Sequence, residues 1–361
     1  MLPLSAVHAS ADRRTPYEDA LRRLITVLFV CVSVCAIVPT WSGEARLDLL
    51  GTRAQLTATR VMLDRTNPRH VRVGGLTYLG GVALASRDRA FGGFSSLAVT
   101  HAVTGDRFTL LSDGGNVVQF DMGSDWRPHR IAFRNLPAGP GIGWEKRDRD
   151  SESMAIDPQT GQIWIGFENS NAIWRYAPGF AGYEARVRPQ AMRKWPANGG
   201  PESMTRLANG RFVVISEEAH IRRPDWTGSE TERLHTRQAL IFAGDPTTAG
   251  PPKRFAYEPY GRYDPSDATA LPNGDLLVLD RGFSLPFRWS NRISLVVARD
   301  VAEGRVARGR SIATIDAPLI HDNFEGITTT IENGATIVWI VSDDNQMVLQ
   351  RTLLLKFRLD R

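Results

Sequence analysis

Apolar and polar positions along this chain fall into one recurring pattern: a short apolar run, a turn rich in Pro, Asn or Gly, and a second apolar run that leaves it. The pattern is clearest from Asp150 to Glu168. There Ser151-Glu152-Ser153-Met154-Ala155-Ile156 reaches the turn at Pro158-Gln159-Thr160-Gly161, and Ile163-Trp164-Ile165-Gly166-Phe167 follows. Apolar alternation on both sides of a tight turn predicts a β-hairpin. Three further copies run from Gly200-Pro201-Glu202 through Asn209-Gly210 to Glu218, from Asp264-Pro265-Ser266-Asp267 through Asn273-Gly274 to Asp280, and from Asn323-Phe324-Glu325 through Asn333-Gly334 to Asp344. A weaker copy runs from Gly93 through Thr104-Gly105 to Asp113.

The acids of each copy sit at matching distances from its turn. Glu152 and Glu168, Glu202 and Glu217, and Asp267 and Asp280 flank their turns almost symmetrically. The arms of a hairpin are antiparallel, so residues equidistant from the turn become neighbours at the open end. Hairpins of one polarity around a common axis therefore bring their carboxylates to one mouth.

The copies begin near residues 94, 151, 201, 266 and 324, a spacing of 50 to 65. That interval suits a four-stranded blade with variable loops, and no stretch carries a long capped helical period. The expected fold is all-β: a single β-propeller of residues 71–361, with residues 46–70 as linker and first strand. Five complete copies and a partial amino-terminal one, around His70–Leu79, predict six blades. The last strand, Arg351–Phe357, is expected to pair with the amino-terminal strands, closing the ring and removing exposed edges.

Composition narrows the function classes. Hydrophobic content of 42% and charge of 23% in 361 residues are those of a folded globular protein. The net charge of +5 lies wholly beyond Ala45, because four Arg and four acids cancel before it. No lysine-rich run or basic helix is present, so no nucleic-acid partner is expected. Residues 1–45 read as a signal peptide: Arg22-Arg23, a weak twin-arginine pair, precedes the fifteen-residue apolar run Leu24–Val38, short for a span of about 20. Gly43-Glu44-Ala45 is the candidate cleavage site. A periplasmic or secreted monomer is expected, the alternative being an uncleaved inner-membrane anchor facing the periplasm. Cys31 and Cys35, the two cysteines, both lie in that run, so the exported domain has neither disulfides nor thiol chemistry.

Two carboxylates about 5 Å apart repel by roughly 3 kcal/mol at an effective dielectric near 20. Several such pairs need protonation, an arginine, or a hard cation to stand. Many acids and few histidines favour Ca²⁺ over zinc. Glu152, Glu202, Asp267 and Glu325 are the expected metal ligands, although an acid at a strand start also serves to cap backbone amides. Glu217, Asp280, Arg281 and Asp343 are the expected catalytic groups, Arg281 offering a fixed positive fork. Asp113, Glu168, Glu218, Asp344 and His321 are further candidates for the mouth. The insertions at Gly139–Glu145 and Glu218–Arg237 are long enough for function, and the second, with His220, Trp226 and His235, is either a cover for the mouth or a polar surface loop. Ser95 and Ser96 hold the mouth position of the weak copy without a histidine partner. Trp164 and Trp339 are assigned to blade packing. Nucleophile-elbow, P-loop and zincin motifs are absent from the sequence.

Phe324-Glu325-Gly326-Ile327, Leu276–Phe283, Val341-Ser342-Asp343-Asp344-Asn345 and Gln350-Arg351-Thr352-Leu353-Leu354-Leu355 resemble the bacterial phytase-like family, also called esterase-like activity of phytase proteins. The resemblance runs from about Gly74 to the carboxyl terminus. It implies a β-propeller and, by analogy with propeller phytases, Ca²⁺-assisted hydrolysis of phosphate esters. The chain departs from the family pattern at Glu152-Ser153, Glu202-Ser203 and Asp267-Ala268, where Glu-Gly is expected, and it lacks the dense acid and lysine array of phytases. The expected function is a metal-assisted hydrolase of phosphate or carboxylic esters acting on a small anionic or ester substrate. The alternatives are a non-catalytic periplasmic binding propeller and a gluconolactonase-type lactonase.

Overall fold

The second strand of each hairpin is an unbroken apolar run, because sheets cover it on both faces. Ile163–Phe167, Phe212–Ile215 and Leu276–Leu279 are buried at every position. Alternation, the expectation for a strand with one wet face, gives way to continuous burial. In the computed structural model, residues 20–29, 46–102, 105–222, 229–284, 288–347 and 349–360 are described. Contacts divide the chain into Met1–Ala45 and Arg46–Arg361. In the first unit residues 20–29 form an exposed helix. Cys31, Cys35, the run beyond Phe29, Gly43-Glu44-Ala45, Thr104 and Trp226 lie outside the described residues. Among the described residues no helix is long and apolar enough to cross a membrane.

In the second unit β1 (Thr57–Arg60), β2 (Arg72–Val73) and β3 (Leu76–Ala85) come first. The first blade is β4 (Phe94–Ala102), β5 (Gly105–Ser112), β6 (Asn116–Met122) and β7 (His129–Asn135). The second is β8 (Ser151–Ile156), β9 (Ile163–Phe167), β10 (Ala172–Tyr176) and β11 (Tyr183–Val187). The third is β12 (Ser203–Arg206), β13 (Phe212–Ile215), β14 (Arg237–Phe242) and β15 (Lys253–Glu258). The fourth is β16 (Asp264–Ala270), β17 (Leu276–Ser284), β18 (Arg288–Val296) and, after β19 (Val306–Arg308), β20 (Arg310–Ile315). Strand β19 leaves the fourth blade to pair parallel with β15 of the third. The fifth opens with β21 (Asn323–Glu332), β22 (Ala335–Asp343) and β23 (Thr352–Leu359).

The expected sixth blade does not exist. Strand β23 pairs with β22 on one edge and with β3 on the other, and β1 and β2 pair with β3. The amino-terminal strands thus complete the fifth blade, and the ring closes with five. Counting hairpins finds the strands but not the sheet they join. Closure through β23 is as expected, and its apolar positions Leu353, Leu354, Leu355 and Phe357 are fully buried.

Strands β4, β8, β12, β16 and β21 neighbour one another around the axis. Five apolar clusters fill the five boundaries between blades. Trp164 packs edge-on against Phe212 at 4.8 Å between the second and third blades, and Trp339 against Phe108 at 4.8 Å between the fifth and first. The Asn333-Gly334 turn joins Glu332 to Ala335 with both φ values positive, the two-residue geometry that matches strand twist.

Candidate active site at the acidic mouth

The inner strands all begin at the same end of the axis, and at that end four of the five depart from regular pairing. Register shifts fall between Phe94 and Ser96, Ser151 and Ser153, Pro265 and Asp267, and Phe324 and Gly326. A bulge leaves one residue unpaired and re-aims its side chain. The unpaired residues are Ser95, Glu152, Ser266 and Glu325, and Glu202 stands immediately before β12 in the third blade.

The second strands end at the same mouth and add Asp113, Glu168, Glu217 and Asp343 just beyond or at their last residues. Ligand oxygens of Asp150, Glu152 and Glu168 lie within 4.8 Å of one another, as do those of Glu168, Glu202 and Glu217. At that separation each ionised pair repels by roughly 3 kcal/mol at an effective dielectric near 20. Two cations enter the cluster. Arg281 donates Nη2 to Glu217 at 2.6 Å and Nη1 to Glu325 and, at 3.3 Å, to Asn323. Lys146, on the loop before β8, pairs with Asp113.

Burial sets the protonation. It pushes the Glu152 and Glu202 carboxyls well above the ordinary range, and neighbouring acids add to it: Asp150, Glu168, Asp113 and Glu325 at Glu152; Glu152, Glu217 and Glu168 at Glu202. Asp150 is raised to about 7 by burial and then by Glu168. Asp343 is raised well above its usual value by burial, Glu325, Asp113 and Asp344. Burial also raises Asp113, Glu217 and Glu325, with Lys146 opposing the shift at the first and Arg281 at the other two. Burial alone would depress Arg281 and Lys146, and the surrounding carboxylates outweigh it at both. Among the described residues, Lys146 and Arg281 are the cations paired within the cluster of Asp113, Asp150, Glu152, Glu168, Glu202, Glu217, Glu325, Asp343 and Asp344.

Of the four expected metal ligands the structure brings Glu152, Glu202 and Glu325 into this cluster and leaves Asp267 out. Asp267 accepts from its neighbour Ala268 N at 2.8 Å and from Ile327 N of the next blade at 2.9 Å, a clamp between β16 and β21. The bulge residue of the fourth blade is Ser266, one place earlier. The shared proline in Gly200-Pro201-Glu202 and Asp264-Pro265-Ser266 carried that alignment in the sequence.

Of the expected catalytic groups Glu217, Arg281 and Asp343 are in the cluster. Asp280 is not: it accepts from Tyr257 Oη at 2.7 and 2.9 Å and from Ser294 Oγ at 2.6 Å, fully buried on the opposite face of β17. Adjacent residues of a strand face opposite ways, so Asp280 and Arg281 cannot both line the mouth.

Asp344 accepts from Gly93 N at 3.1 Å and Thr352 Oγ1 at 2.9 Å, and Glu168 accepts from the amides of Gly199 and Gly200. Glu218 is exposed beside Gly199 on the rim. His321 contacts Leu319 O at 2.7 Å in the loop before β21. In the Glu218–Arg237 insertion a short helix spans Glu230–His235, and His220 lies 3.3 Å from Thr236 O. Asp150, Lys146 and Asn323 are cluster members that sequence reasoning passed over. Asp150 and Asn323 stand two places before Glu152 and Glu325, where the fourth copy has Asp264, a positional signal; Lys146 carried none.

A family model described as "Phytase-like: Esterase-like activity of phytase" matches residues 89–346. No curated protein matches the chain. Among solved structures it is similar to the Kuenenia stuttgartiensis hydrazine synthase, at 11% identity over 72% of this chain, with a TM-score of 0.35. The chain spans 58% of that structure's chain. The Malassezia sympodialis allergen Mala s 1 is 11% identical, with 86% and 92% of the two chains covered and a TM-score of 0.41. The Myceliophteria thermophila Cps50 (Swd1) beta-propeller domain is 8% identical over 78% and 99%, with a TM-score of 0.35.

Proposed function

The chain belongs to the phytase-like family, esterase-like activity of phytase, and from that premise we propose that its mouth hydrolyses anionic phosphate or carboxylic esters with the help of Ca²⁺. The observation that carries this reading is the convergence of Glu152, Glu202 and Glu325 from three blades with Asp150, Glu168 and Glu217, against Arg281 and Lys146 among the described residues. The donor set fits the ion: both triads are all-oxygen, as a hard cation of six to eight oxygen ligands requires, and neither holds His or Cys. Glu152, Glu168, Glu202 and Glu217 would hold it. When bound, such a cation neutralises the carboxylates and lowers the pKa of coordinated water.

The chain's own residues supply the rest. Arg281, fixed by Glu217 and Glu325, presents its planar guanidinium to an anionic oxygen of the ester. Asp343, in its ionised form, takes one proton as the water oxygen bonds to phosphorus or to the acyl carbon. Asp150, in its protonated form, gives a proton to the leaving oxygen as the ester bond breaks. The products are the free acid and the alcohol; Asp343 then returns its proton to solvent and Asp150 takes one up, which restores both carboxyls. Export by the segment before Ala45 belongs to the same proposal, and fractionation of cells expressing the full chain tests it.

Chelation is the direct test. Stripping divalent ions should lower both the melting temperature and the hydrolysis of a chromogenic phosphate ester, and Ca²⁺ should restore both. A flat response in both overturns the reading. A second reading, a propeller that binds an anion without turning it over, is favoured by the prior engagement of Arg281 by two carboxylates. Glu202→Gln and Glu325→Gln separate them: lost turnover with intact binding supports the enzyme, and no turnover by the native protein on any ester supports the binder.

A further inference from the structure

Strand β17 runs on past Arg281 to Ser284, whereas its counterparts β5, β9 and β22 end at Ser112, Phe167 and Asp343, at the level of the acids. The excess carries the hairpin past the level of the acids. Its two faces have different fates. Gly282, Ser290 and Arg292 lie on the face braced by Tyr263: a Cβ on Gly282 would stand 2.9 Å from the Tyr263 ring, and Tyr263 Oη meets Ser290 Oγ at 2.8 Å. Arg292 stacks over Tyr263 at 4.5 Å and over Tyr260 at 4.4 Å. The hairpin is also pinned to the loop before β21 by Arg288, which binds Asp316 at 3.0 and 2.9 Å.

The other face begins with Arg281 opposite Asn291 and continues with Phe283 opposite Trp289. The two rings meet at 4.7 Å with an interplanar angle of 53°. Arg281 lies 5.8 Å from the Trp289 centroid, while its Nη atoms hold Glu217 and Glu325. Half of Phe283 is exposed, at 50%. One guanidinium therefore borders both the charged mouth and an aromatic pair of which Phe283 is exposed and Trp289 half-buried. Exposed aromatics on a braced hairpin forgo burial that an interior position would supply, and they stay ready for a flat apolar partner.

Resting on the hydrolase reading above, we propose that Phe283 and Trp289 form an aromatic subsite that receives the aryl group of an anionic ester whose charged end docks at Arg281. Aryl esters are then the preferred substrate class. Ser284, the neighbouring hydroxyl, lies on the opposite face with Gly282 and is turned to the backbone of Arg288, so it gives a sugar on the Phe283 face no partner.

The test uses the full chain with Ca²⁺ and compares phenyl phosphate with glycerol phosphate, which share the charged group. The native protein should favour the aryl ester. Phe283→Ala/Trp289→Ala should lower kcat/KM for it about tenfold, mainly through KM, and leave the glycerol ester unchanged, with Trp289→Phe restoring most of the loss. Equal losses on both esters, or none on either, overturn the subsite while leaving the hydrolase reading intact. Calorimetric titration with phenylphosphonate and methylphosphonate reads the subsite without turnover. If no ester is hydrolysed, tighter phenylphosphonate binding that vanishes in the double variant sustains the subsite and overturns only the hydrolase reading; equal binding of the two anions overturns the subsite.

Discussion

Arg281 of the fourth blade holds Glu325 of the fifth through Nη1 and Glu217 of the third through Nη2. A single guanidinium ties three blades at the mouth. Burial raises the surrounding carboxyls first, and their mutual repulsion adds to it.

Replacing Arg281 with Gln should destabilise the cation-free protein by roughly 3 kcal/mol, because two largely buried carboxylates lose their partner together. Thermal melts with and without Ca²⁺ check this. The loss should shrink when Ca²⁺ is present, since a bound ion takes over the neutralisation, whereas ester hydrolysis should stay impaired.

Stability of the metal-free protein should fall as pH rises from about 5 to 8. The sign follows from the carboxyls of Asp150, Glu152, Glu202 and Asp343, whose folded pKa values lie above their unfolded ones. Each favours the folded state fully below its unfolded pKa, and that contribution is lost as pH climbs through the folded value, near 7 for Asp150. Chemical denaturation at several pH values measures the slope, and stabilisation by added Ca²⁺ should grow over the same window as protons leave.

Tyr257→Phe should cost about 1–3 kcal/mol by removing a donor to the buried Asp280, while kcat and KM stay at native values. An equal fall in turnover would return Asp280 to the catalytic groups. Denaturant unfolding beside steady-state kinetics separates the two outcomes.

Leu354→Ala should cost about 2–5 kcal/mol, since Leu354 is wholly buried where β23 meets both β22 and β3. The melting temperature should fall, and limited proteolysis should first release the β1–β3 region, which only this strand joins to the carboxyl-terminal half of the blade.

Much of the site was readable because hairpin geometry is local. The turns at Asn209-Gly210, Asn273-Gly274 and Asn333-Gly334 fix how far each acid lies from its turn, and Glu152, Glu202, Glu217 and Glu325 fell where that arithmetic put them. Asp267 and Asp280 did not. Distance from a turn gives height along a strand but not the face, and a one-residue bulge at Ser266 exchanges the faces of everything on one side of it.

By itself the sequence determined the strands, their turns, the all-β class and the polarity that gathers carboxylates at one end, since each rests on the chemistry of neighbouring residues. Tertiary structure alone decided that five blades and not six close the ring, that Ser266 and not Asp267 is the unpaired residue of the fourth blade's bulge, and that Phe283 and Trp289 rise beside Arg281. Those outcomes depend on which strand edge finds which partner across hundreds of residues, and hydrogen bonding between sheet edges carries no mark in the local pattern that forms each strand.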